Sequence, residues 1–348
     1  MSDGQLKTKL ATWHAGEKAI QQKVGVSERM EATGQRVVRD FMPDQHREFF
    51  AKIPFIVLGS VDHKGDAWAT LLAGKPGFIS SPTPRTLEIG ARPYQTDPAS
   101  EGAQDGDAIA LLGIELHTRR RNRANGILRA SSGTGLGFDL DQSFGNCPKY
   151  IQLRDVSFVR EPDAPFTGDV EESAALDSAA RDMIRAADTF FVASYAERED
   201  RRQVDVSHRG GKAGFVRVGD DGMLTIPDFA GNLFFNTLGN ILLNGKAGLV
   251  FVDFESGDML QLTGDAEVIL DSPEIAAFRG AERLWRFRAR RVVRRRGALP
   301  LRWTFRTDGW SPQVLATGDW TQAADRISAG DIIEVRAPDV DSGARPIG

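Results

Sequence analysis

Short apolar runs bounded by Gly or Asp recur along the chain and predict β-strands. The runs FIVLGSV, FFVASY, GFVRV, GLVFVDF and MLQLTG are rich in β-branched and aromatic residues. Between such runs, segments such as DHKG, GDDG and ESGD have the composition of turns. The pattern therefore predicts mainly antiparallel β structure.

Helical spacing occurs in fewer places. The segment PDQHREFFAK, residues 43–52, opens with Pro and Asp, which favour a first helical turn. Residues 173–187 place Leu176, Met183 and Ile184 at helical spacing. Residues 1–40 are polar and mostly helical in pattern, so we expect an arm lying across the β structure.

Three blocks of sequence occur twice, in the same order and at nearly the same offset. PFIVLGSVD resembles FFVASYAE, and GKPGFI (74–79) resembles GKAGFV (211–216). The segment AIALLGIELHTRRRNRANGILRA (108–130) resembles KAGLVFVDFESGDMLQLTGDAEV (246–268), which aligns Gly126 with Gly264. The repetition predicts two tandem copies of one unit, each a helix followed by an antiparallel barrel of about six strands.

The repeat divides the chain. We expect an N-terminal helical arm (1–40), a first barrel (41–160), a second barrel (171–320) and a C-terminal tail (321–348). The linker REPDAPFTGDV between the barrels is rich in proline and acidic residues. The tail contains one further strand-like run, DIIEV, at 331–335.

Composition narrows the class of protein. The chain has 348 residues, 41% hydrophobic and 26% charged, which is ordinary for a soluble globular protein. The net charge of −4 argues against a general nucleic-acid binder. One cysteine, Cys147, excludes an internal disulfide, and five scattered histidines predict no metal site. The chain lacks a signal-peptide pattern and a long apolar run, so we expect a cytoplasmic protein without a membrane span.

The segment VDVSHRGGKAGFVRV carries the first candidate site: Ser207, His208, Arg209, Gly210 and Lys212. Glycine allows close backbone approach, and the cations and the hydroxyl suit a phosphate. An ordinary basic β-turn explains the same residues.

The segment PDFAGNLFFNTLGNILLN carries the second: Pro227, Asp228, Asn232, Asn236 and Asn240. Amide side chains both donate and accept hydrogen bonds, so they suit the edge of a heteroaromatic ring. Capping and turn formation are the alternative. We expect a tight turn at 231–232 and a short helix at 234–240.

Two arginine-rich runs are ambiguous. HTRRRNRANG contains Arg119, Arg121 and Arg123, and suits a solvated face, a nucleic-acid patch or a phosphate site. The run at 283–303, in which apolar residues interrupt the arginines, has the pattern of an edge strand. Its interleaved Trp and Arg could also contact nucleic acid.

Two further features receive structural interpretations. The segment SSGTGLGF (131–138) does not fit a dinucleotide-binding pattern and is predicted to be a hairpin loop. Cys147 has no histidine nearby in the sequence, so we expect a buried structural thiol, with a place beside a ligand as the alternative.

Taken together, these motifs resemble the pyridoxamine 5′-phosphate oxidase-like, FMN-binding split-barrel superfamily, and within it the bacterial tandem-barrel branch that is related to domains fused to ferredoxin reductase modules. The motifs that carry the resemblance, over about 40–320, are MPDQHREFF, LLGIELHTRRRNRANG, SFGNCPKYIQ, SHRGGKAGFV, IPDFAGNLFFNTLGNILLN, LQLTGDAEV and ALPLRW…SPQVLATGDW.

The resemblance implies a mainly β fold with flanking helices (α+β), in which two tandem split barrels form an intrachain pseudo-dimer with one FMN at their junction. It also implies an FMN-dependent oxidoreductase that acts on a small organic substrate and takes electrons from a separate reductase or a nicotinamide. Arg302 and Trp303 stand where true pyridoxamine phosphate oxidases carry an Arg-x-His element, so vitamin B6 oxidation is not implied.

The implied site joins the SHRGG and PDFAGN…NTLGN segments of the second barrel to the TRRRNR strand of the first. Arg209, Lys212 and Arg121 are expected at the phosphate, and the asparagines at the flavin. No residue stands out as an acid or base catalyst. The related site that pairs WATLLAGKPGF with ESGDMLQLTG lacks the Ser-His-Arg set, so we expect it to be empty or degenerate. The expected cofactor-binding residues are Ser207, His208, Arg209, Gly210, Lys212, Pro227, Asp228, Asn232, Asn236, Asn240, Arg119, Arg121 and Arg123.

Two alternatives stay open. A non-enzymatic split barrel could bind flavin or haem, with His208 and His14 as candidate haem ligands. A nucleic-acid-binding module using 286–302 ranks lower because the chain is acidic overall. A homodimer is compatible with every one of these hypotheses.

Overall fold

The computed structural model describes residues 12–130, 135–198 and 201–330. Three helices come first, and seven strands and a short 3-10 helix (Pro98–Gly102) follow them. The helices are α1 (Ala15–Lys23), α2 (Ser27–Val37) and α3 (Asp44–Lys52), and the strands are β1 (Phe55–Val61), β2 (Ala67–Ala73), β3 (Ile79–Ser80), β4 (Thr86–Ile89), β5 (Ala108–Glu115), β6 (Arg120–Arg129) and β7 (Leu136–Gly145).

The second half of the chain repeats this arrangement. Its elements are β8 (Arg154–Phe158), β9 (Val170–Ser173), α4 (Ser178–Ala186), β10 (Thr189–Arg198), β11 (Arg201–Gly210), β12 (Arg217–Val218), β13 (Leu224–Phe229), α5 (Asn236–Asn244), β14 (Lys246–Val252), β15 (Met259–Ile269), α6 (Pro273–Ala277), β16 (Ala281–Arg295), β17 (Leu301–Phe305), α7 (Pro312–Leu315) and α8 (Trp320–Ser328).

The two large sheets have the same topology. The first runs β2-β1-β5-β6-β7-β4-β3, and the second runs β11-β10-β14-β15-β16-β13-β12, with β9 added beside β16. All of these neighbouring strands pair antiparallel. The predicted mainly β fold with flanking helices is confirmed, and the repeat in the sequence corresponds to a repeat in strand order.

The aligned glycines Gly126 and Gly264 mark the same irregularity in both sheets. The β6–β7 register shifts between Asn125 and Gly126, and the β15–β16 register shifts between Thr263 and Gly264. A Cβ at Gly126 would lie 2.0 Å from the Asp139 carbonyl oxygen, and a Cβ at Gly264 would lie 1.9 Å from that of Arg288. Only glycine fits because the opposite backbone approaches so closely at the bulge.

Each sheet has its own apolar core, and a third cluster joins the two. The joining cluster includes Val57 and Ala69 of the first sheet and Phe191, Val206 and Val250 of the second, all buried. The backbones come so close that a Cβ at Gly248 would lie 2.1 Å from the Ala67 carbonyl oxygen. The halves therefore pack as an intrachain pseudo-dimer, and the two ends of the shared interface each form a cleft.

Several elements differ from their predicted bounds. Helix α3 falls within the predicted 43–52. Helix α4 begins at Ser178, after Asp177, whose side chain accepts from the Ala180 amide, and Ser173 belongs instead to β9, which pairs with β16. The helix expected at 234–240 is α5, Asn236–Asn244. Of the loop expected at 131–138, the residues from Leu136 onward belong to strand β7, and 131–134 lie outside the described part of the chain. The strand predicted at 331–335 also lies outside it.

The arginine-rich run at 283–303 was predicted to be an edge strand, and for most of its length this prediction was wrong. Residues 283–295 lie in β16, which is between β15 and β13, and only 301–303 lie in β17, which forms a two-stranded sheet with β8. Carboxylates form ion pairs with many arginines of β16 and with Arg296, which follows it. These pairs are Arg283–Asp228, Arg288–Asp221, Arg290–Asp66, Arg291–Glu172, Arg294–Asp177, Arg295–Asp97 and Arg296–Glu171. The positive charge of this strand is largely matched within the fold.

No helix among the described residues combines the length and the apolarity needed to cross a membrane.

Candidate functional site

A polar cleft lies at one end of the junction between the two sheets. It has an open volume of about 100 Å³ and is built by the β6 strand and the 146–150 segment of the first half, together with β11, β13 and the start of α5. Ten of the thirteen predicted residues line it: Arg121, Arg123, Ser207, His208, Arg209, Gly210, Pro227, Asp228, Asn232 and Asn236. Segments far apart in sequence therefore converge on one cleft.

Arg123 crosses from the first half into the second at the floor of the cleft. Its Nη1 donates to Asn236 Oδ1 (3.0 Å) and to Asp205 Oδ1 (3.4 Å), and its Nη2 donates to Ser207 Oγ. Asp205 is fully buried and also accepts from Asn125 Nδ2 at 2.8 Å. Burial lowers the pKa of Arg123 to about 10, and Asp205 acts against this shift.

Arg121 is a partly buried cation of the cleft that has no carboxylate partner among the described residues. Its Nε donates to the Cys147 carbonyl oxygen (2.8 Å) and its Nη1 to that of His208 (3.5 Å). It forms no ion pair with any described residue. Burial, and then the neighbouring Arg123, lower the pKa of Arg121 to about 9. A guanidinium in this position is stabilised by an anion that enters the cleft.

The rim opposite is an arginine–aspartate–arginine triad. Arg209 Nη1 donates to Asp228 Oδ1 and Arg283 Nε donates to Asp228 Oδ2, each at 2.9 Å. One carboxylate thus serves two guanidinium groups. Across the lining as a whole, five cationic side chains, namely Arg121, Arg123, Lys149, Arg209 and Arg283, face a single acidic one, Asp228.

Several buried polar atoms at the cleft lack a hydrogen-bond partner in the described structure. They are Arg123 Nε, Arg209 Nε, Asn146 Nδ2 and His208 Nε2. Three of the four are obligatory donors. Buried donors without acceptors cost free energy, so this set favours a ligand that brings acceptor oxygens.

Strained backbone conformations also occur at the polar cleft. Four described residues other than glycine have positive φ, and three of them line the cleft: Tyr150 (64°), Leu233 (65°) and Phe235 (62°). Bulky residues rarely adopt this left-handed conformation, which costs on the order of 1–3 kcal/mol each. Such strain is typical of binding and catalytic sites. The sequence held no signal for it because none of the three is Gly or Asn.

The N-terminal arm adds a buried acid that sequence analysis missed. Helix α1 packs on α5 so closely that a Cβ at Gly16 would lie 2.1 Å from the Gly239 carbonyl oxygen. This contact inserts Glu17, fully buried, beneath the cleft, where Asn236 Nδ2 donates to it. Burial, and then the charge of Asp205, raise the pKa of Glu17 to about 8.

Three predicted residues do not line the cleft. Lys212 Nζ donates to the Thr317 carbonyl oxygen (2.7 Å), and Arg119 donates to backbone carbonyls of Ile151, Gly309 and Trp310. Asn240 lies behind the floor, where it donates to Ser194 and Asp205. The amides of Asn232 and Asn236, by contrast, face the cleft, and Asn232 Oδ1 also accepts from the Phe234 amide in the predicted turn.

Cys147 is half-buried, not buried as expected, and it lines the cleft. The two candidate haem ligands differ. Burial, together with Arg121 and Arg209, holds the pKa of His208 well below its usual value, so its ring is neutral. His14 caps α1 through Nδ1 and does not line the cleft. The described residues contain no group of three His, Cys, Asp or Glu side chains able to hold a metal ion.

The hydrogen-bond donors of the cleft are compatible with the flavin mononucleotide that the sequence resemblance implies. The surplus cations and the unpartnered donors match a phosphate and the acceptor edge of a heteroaromatic ring. The open volume of about 100 Å³ is below the roughly 300–1,000 Å³ of most ligand clefts. The residues therefore fit the group chemically, in a cleft that is smaller than most ligand clefts.

Neither a protein-family model nor a curated protein sequence matches the chain. Among solved structures, HupZ of Group A Streptococcus is 19% identical, with 33% of this chain and 89% of HupZ covered and a TM-score of 0.27. A proposed pyridoxamine 5′-phosphate oxidase of Lactobacillus delbrueckii is 12% identical, with 30% and 95% covered and a TM-score of 0.25. MrkH of K. pneumonia, in complex with c-di-GMP, is 10% identical, with 77% and 88% covered and a TM-score of 0.22. Similarities at this level assign no activity to the chain.

Proposed function

We propose that the chain binds one FMN in the polar cleft and is an FMN-dependent oxidoreductase that acts on a small organic substrate, with a separate electron donor. The observation that carries this proposal is Arg121, a cation at the junction of the two halves with no carboxylate partner among the described residues. A phosphate monoester would supply the missing charge.

The residues divide by what they offer. Arg121, Arg209 and the Ser207 hydroxyl supply positive charge and a polar group for the phosphate. Asn146 Nδ2 has no partner among the described residues and can donate to a ring carbonyl, while Asn232 Nδ2 donates to Asn146 Oδ1 (3.2 Å) and so positions that amide. Aromatic side chains of Tyr150 and Phe229, stacked with their centroids 5.1 Å apart, give the cleft an apolar wall that excludes water.

A bound flavin would supply hydride or electron transfer, which no side chain of the cleft can perform. The protein contributes electrostatics and position. The cations of the cleft favour an anionic form of whatever binds there. Glu17 is protonated and neutral below a pH of about 8, so it adds no second negative charge next to Asp205 beneath the floor.

The first experiment is the absorbance spectrum of the purified protein, followed by the ratio of released flavin to chain after denaturation. We expect a ratio near one. No flavin, and no binding in titrations with FMN, would refute the proposal. A ratio near two would refute the single-site assignment.

The second experiment tests the role of the anion. FMN should bind at least about tenfold more tightly than riboflavin, because one charge-assisted hydrogen bond contributes about 1.5–3 kcal/mol. The variant Arg121→Met should remove this preference. Arg119→Met is the matched control, since Arg119 lies two residues away and donates only to backbone carbonyls outside the cleft. Equal effects of the two variants would contradict the assignment.

The oxidoreductase activity needs its own test. Anaerobic NADH or NADPH, alone and with a flavin reductase, should bleach the flavin absorbance, and a substrate of the protein should restore it. One observation also favours the alternative of haem binding: His208 is neutral and its Nε2 is unpartnered at the cleft. A Soret band on haem titration that is lost in His208→Ala, in a protein that does not bind FMN, would establish that alternative instead.

A further inference from the structure

A second and larger cleft lies at the opposite end of the junction. It has an open volume of about 680 Å³, against about 100 Å³ for the polar cleft. It is formed by the end of β2 and the 90–94 segment of the first half, with the start of β15 and residues 298–300 of the second half. This is the position of the related site that the sequence predicted to be empty or degenerate.

The repeat defines which residues of the two clefts correspond. Counted from the bulge glycines Gly126 and Gly264, Arg121 corresponds to Met259 on β15. The glycine-rich turns give the rest of the comparison. Counted from Gly74 and Gly211, His208 and Arg209 correspond to Leu71 and Leu72 on β2. Two cations of the first cleft, Arg121 and Arg209, are thus replaced by apolar residues in the second, and a third, Arg123, corresponds to the uncharged Gln261.

The floor of the second cleft is already neutral. Asp97 and Arg295, each 2% exposed, form an ion pair there. Asp97 also accepts from Thr70 Oγ1, from the Ala99 amide (3.0 Å) and from Gln261 Nε2 (2.9 Å). None of the side chains of Asp97, Arg295, Thr70 and Gln261 has a fully buried polar atom without a hydrogen-bond partner in the described structure. The Asp97 carboxylate therefore neutralises Arg295, whereas Arg121 of the first cleft has no carboxylate partner among the described residues.

The mouth is also balanced in charge. Lys75 Nζ forms an ion pair with Glu161 at 2.5 Å, and the whole lining contains three cationic and three acidic side chains. The remaining lining is mostly apolar: Leu71, Leu72, Pro76, Phe78, Pro93, Met259, Ala298, Leu299 and Pro300. A phosphate or other strong anion gains nothing from this site.

Because apolar residues stand in this cleft where the first has Arg121 and Arg209, we propose that the second cleft binds an uncharged, mainly apolar small organic molecule. The volume lies within the range of ligand clefts, roughly 300–1,000 Å³. Binding of an apolar ligand removes the apolar walls from water, which is favourable. The neutral, hydrogen-bonded floor contains no unpaired buried charge that a ligand would have to compensate. The site is independent of the proposed flavin function, since it shares no lining residue with the polar cleft.

The test uses the neutral fluorophore N-phenyl-1-naphthylamine with the full chain. We expect saturable binding of one probe per chain and a rise in fluorescence. Its anionic relative 8-anilinonaphthalene-1-sulfonate should bind at least tenfold more weakly. Tighter binding of the sulfonate, or no saturable binding of the neutral probe, would overturn the proposal.

Two variants fill the cleft from different walls. Ala73→Trp and Ala91→Trp place a large side chain at half-buried lining positions, and each should weaken probe binding at least tenfold. Ala32→Trp on the exposed face of α2 is the matched control, and Arg121→Met tests the polar cleft. Urea unfolding verifies that each variant is folded.

The pattern of losses identifies the site. Probe binding that is unchanged in both filled variants, or that is lost in Arg121→Met and displaced by FMN, would overturn the proposal. Loss in Ala73→Trp and Ala91→Trp alone, with FMN binding retained, supports it. Failure of FMN to bind any variant would leave this result intact, so the two proposals fail separately.

Discussion

Arg123 of β6 meets Asp205 of β11 across the junction of the two halves, with 3.4 Å between Nη1 and Oδ1. Both side chains are buried, Asp205 completely. Removing one member of such a pair leaves a buried charge without compensation, whereas the pair itself adds little net stability.

We therefore expect Arg123→Met to lower the free energy of unfolding by about 3–5 kcal/mol, because Asp205 stays buried. Urea denaturation followed by circular dichroism measures this loss. Arg129→Met is the control on the same strand. Arg129 forms ion pairs with Glu88 and Asp139 that are partly exposed, so its loss should cost no more than about 1 kcal/mol. Similar losses in both variants would refute the role of the Arg123–Asp205 pair.

The buried acid Glu17 predicts a dependence of stability on pH. Its pKa is raised from the ordinary 4.5 to about 8 in the folded chain, so between these values the folded state holds a proton that the unfolded state releases. Stability from this group is fully present below about pH 4.5 and is lost as the pH rises towards 8, at up to about 1.4 kcal/mol per pH unit.

Comparison with Glu17→Gln isolates this effect. His14 has a lowered pKa and contributes in the opposite direction below 6.5, and its Nε2 lies 3.5 Å from Glu17 Oε2, so the change that isolates Glu17 is the one above pH 6.5. The stability of the wild type relative to Glu17→Gln should fall between pH 6.5 and pH 8.5 in urea titrations. Glu28→Gln, on the exposed face of α2, should show no such trend. A difference that does not change with pH would contradict the buried, protonated state of Glu17.

The bulge glycines should be intolerant of a side chain. Gly126→Ala and Gly264→Ala each place a Cβ about 2 Å from a backbone oxygen, which must shift, so we expect losses of about 1–3 kcal/mol or more. Gly145→Ala at the end of β7 is the control, because its Cβ would lie 3.6 Å from Asn122 Oδ1, an ordinary contact. Thermal unfolding distinguishes them. Equal tolerance at Gly126 and Gly145 would show that the β6–β7 bulge relaxes freely.

The rate at which the single cysteine reacts should show whether the polar cleft is occupied. Cys147 lines it and its carbonyl oxygen accepts from Arg121. Saturating FMN should slow the reaction of Cys147 with a disulfide reagent at least several-fold by covering the sulfur. N-phenyl-1-naphthylamine, which we place in the other cleft, should leave the rate unchanged. Slowing by the apolar probe but not by FMN would contradict both site assignments.

Much of the fold was visible in the sequence because it depends on local patterns. Apolar alternation placed the main strands, and the repeated Gly-Lys-x-Gly-Phe turns and the pair Gly126 and Gly264 identified the duplication. A Cβ at Gly126 or Gly264 would meet backbone oxygen, and one at Gly74 or Gly211 would meet the Phe of the same turn, so local geometry explains why both copies carry glycine at these positions.

The sequence predicted candidate residues wherever a motif carried several polar groups. The errors concerned the direction in which individual side chains point. Arg119 and Arg121 stand in one run, yet Arg119 has a φ of 60° and turns towards carbonyls of the C-terminal region. Lys212 likewise reaches Thr317, 105 residues away. Partners at such distances cannot be read from a local pattern.

The sequence alone determined the mainly β architecture, the duplication and most of the polar residues of one cleft, since each depends on backbone geometry or on groups clustered along the chain. Only the tertiary structure decided that Glu17 lies beneath that cleft, that Tyr150, Leu233 and Phe235 are strained there, and that the arginines of β16 are matched by carboxylates. It also decided that the related cleft is the larger one and is neutral and apolar. The physical reason is that burial and charge compensation are properties of contacts between distant segments, which form only when the two halves pack together.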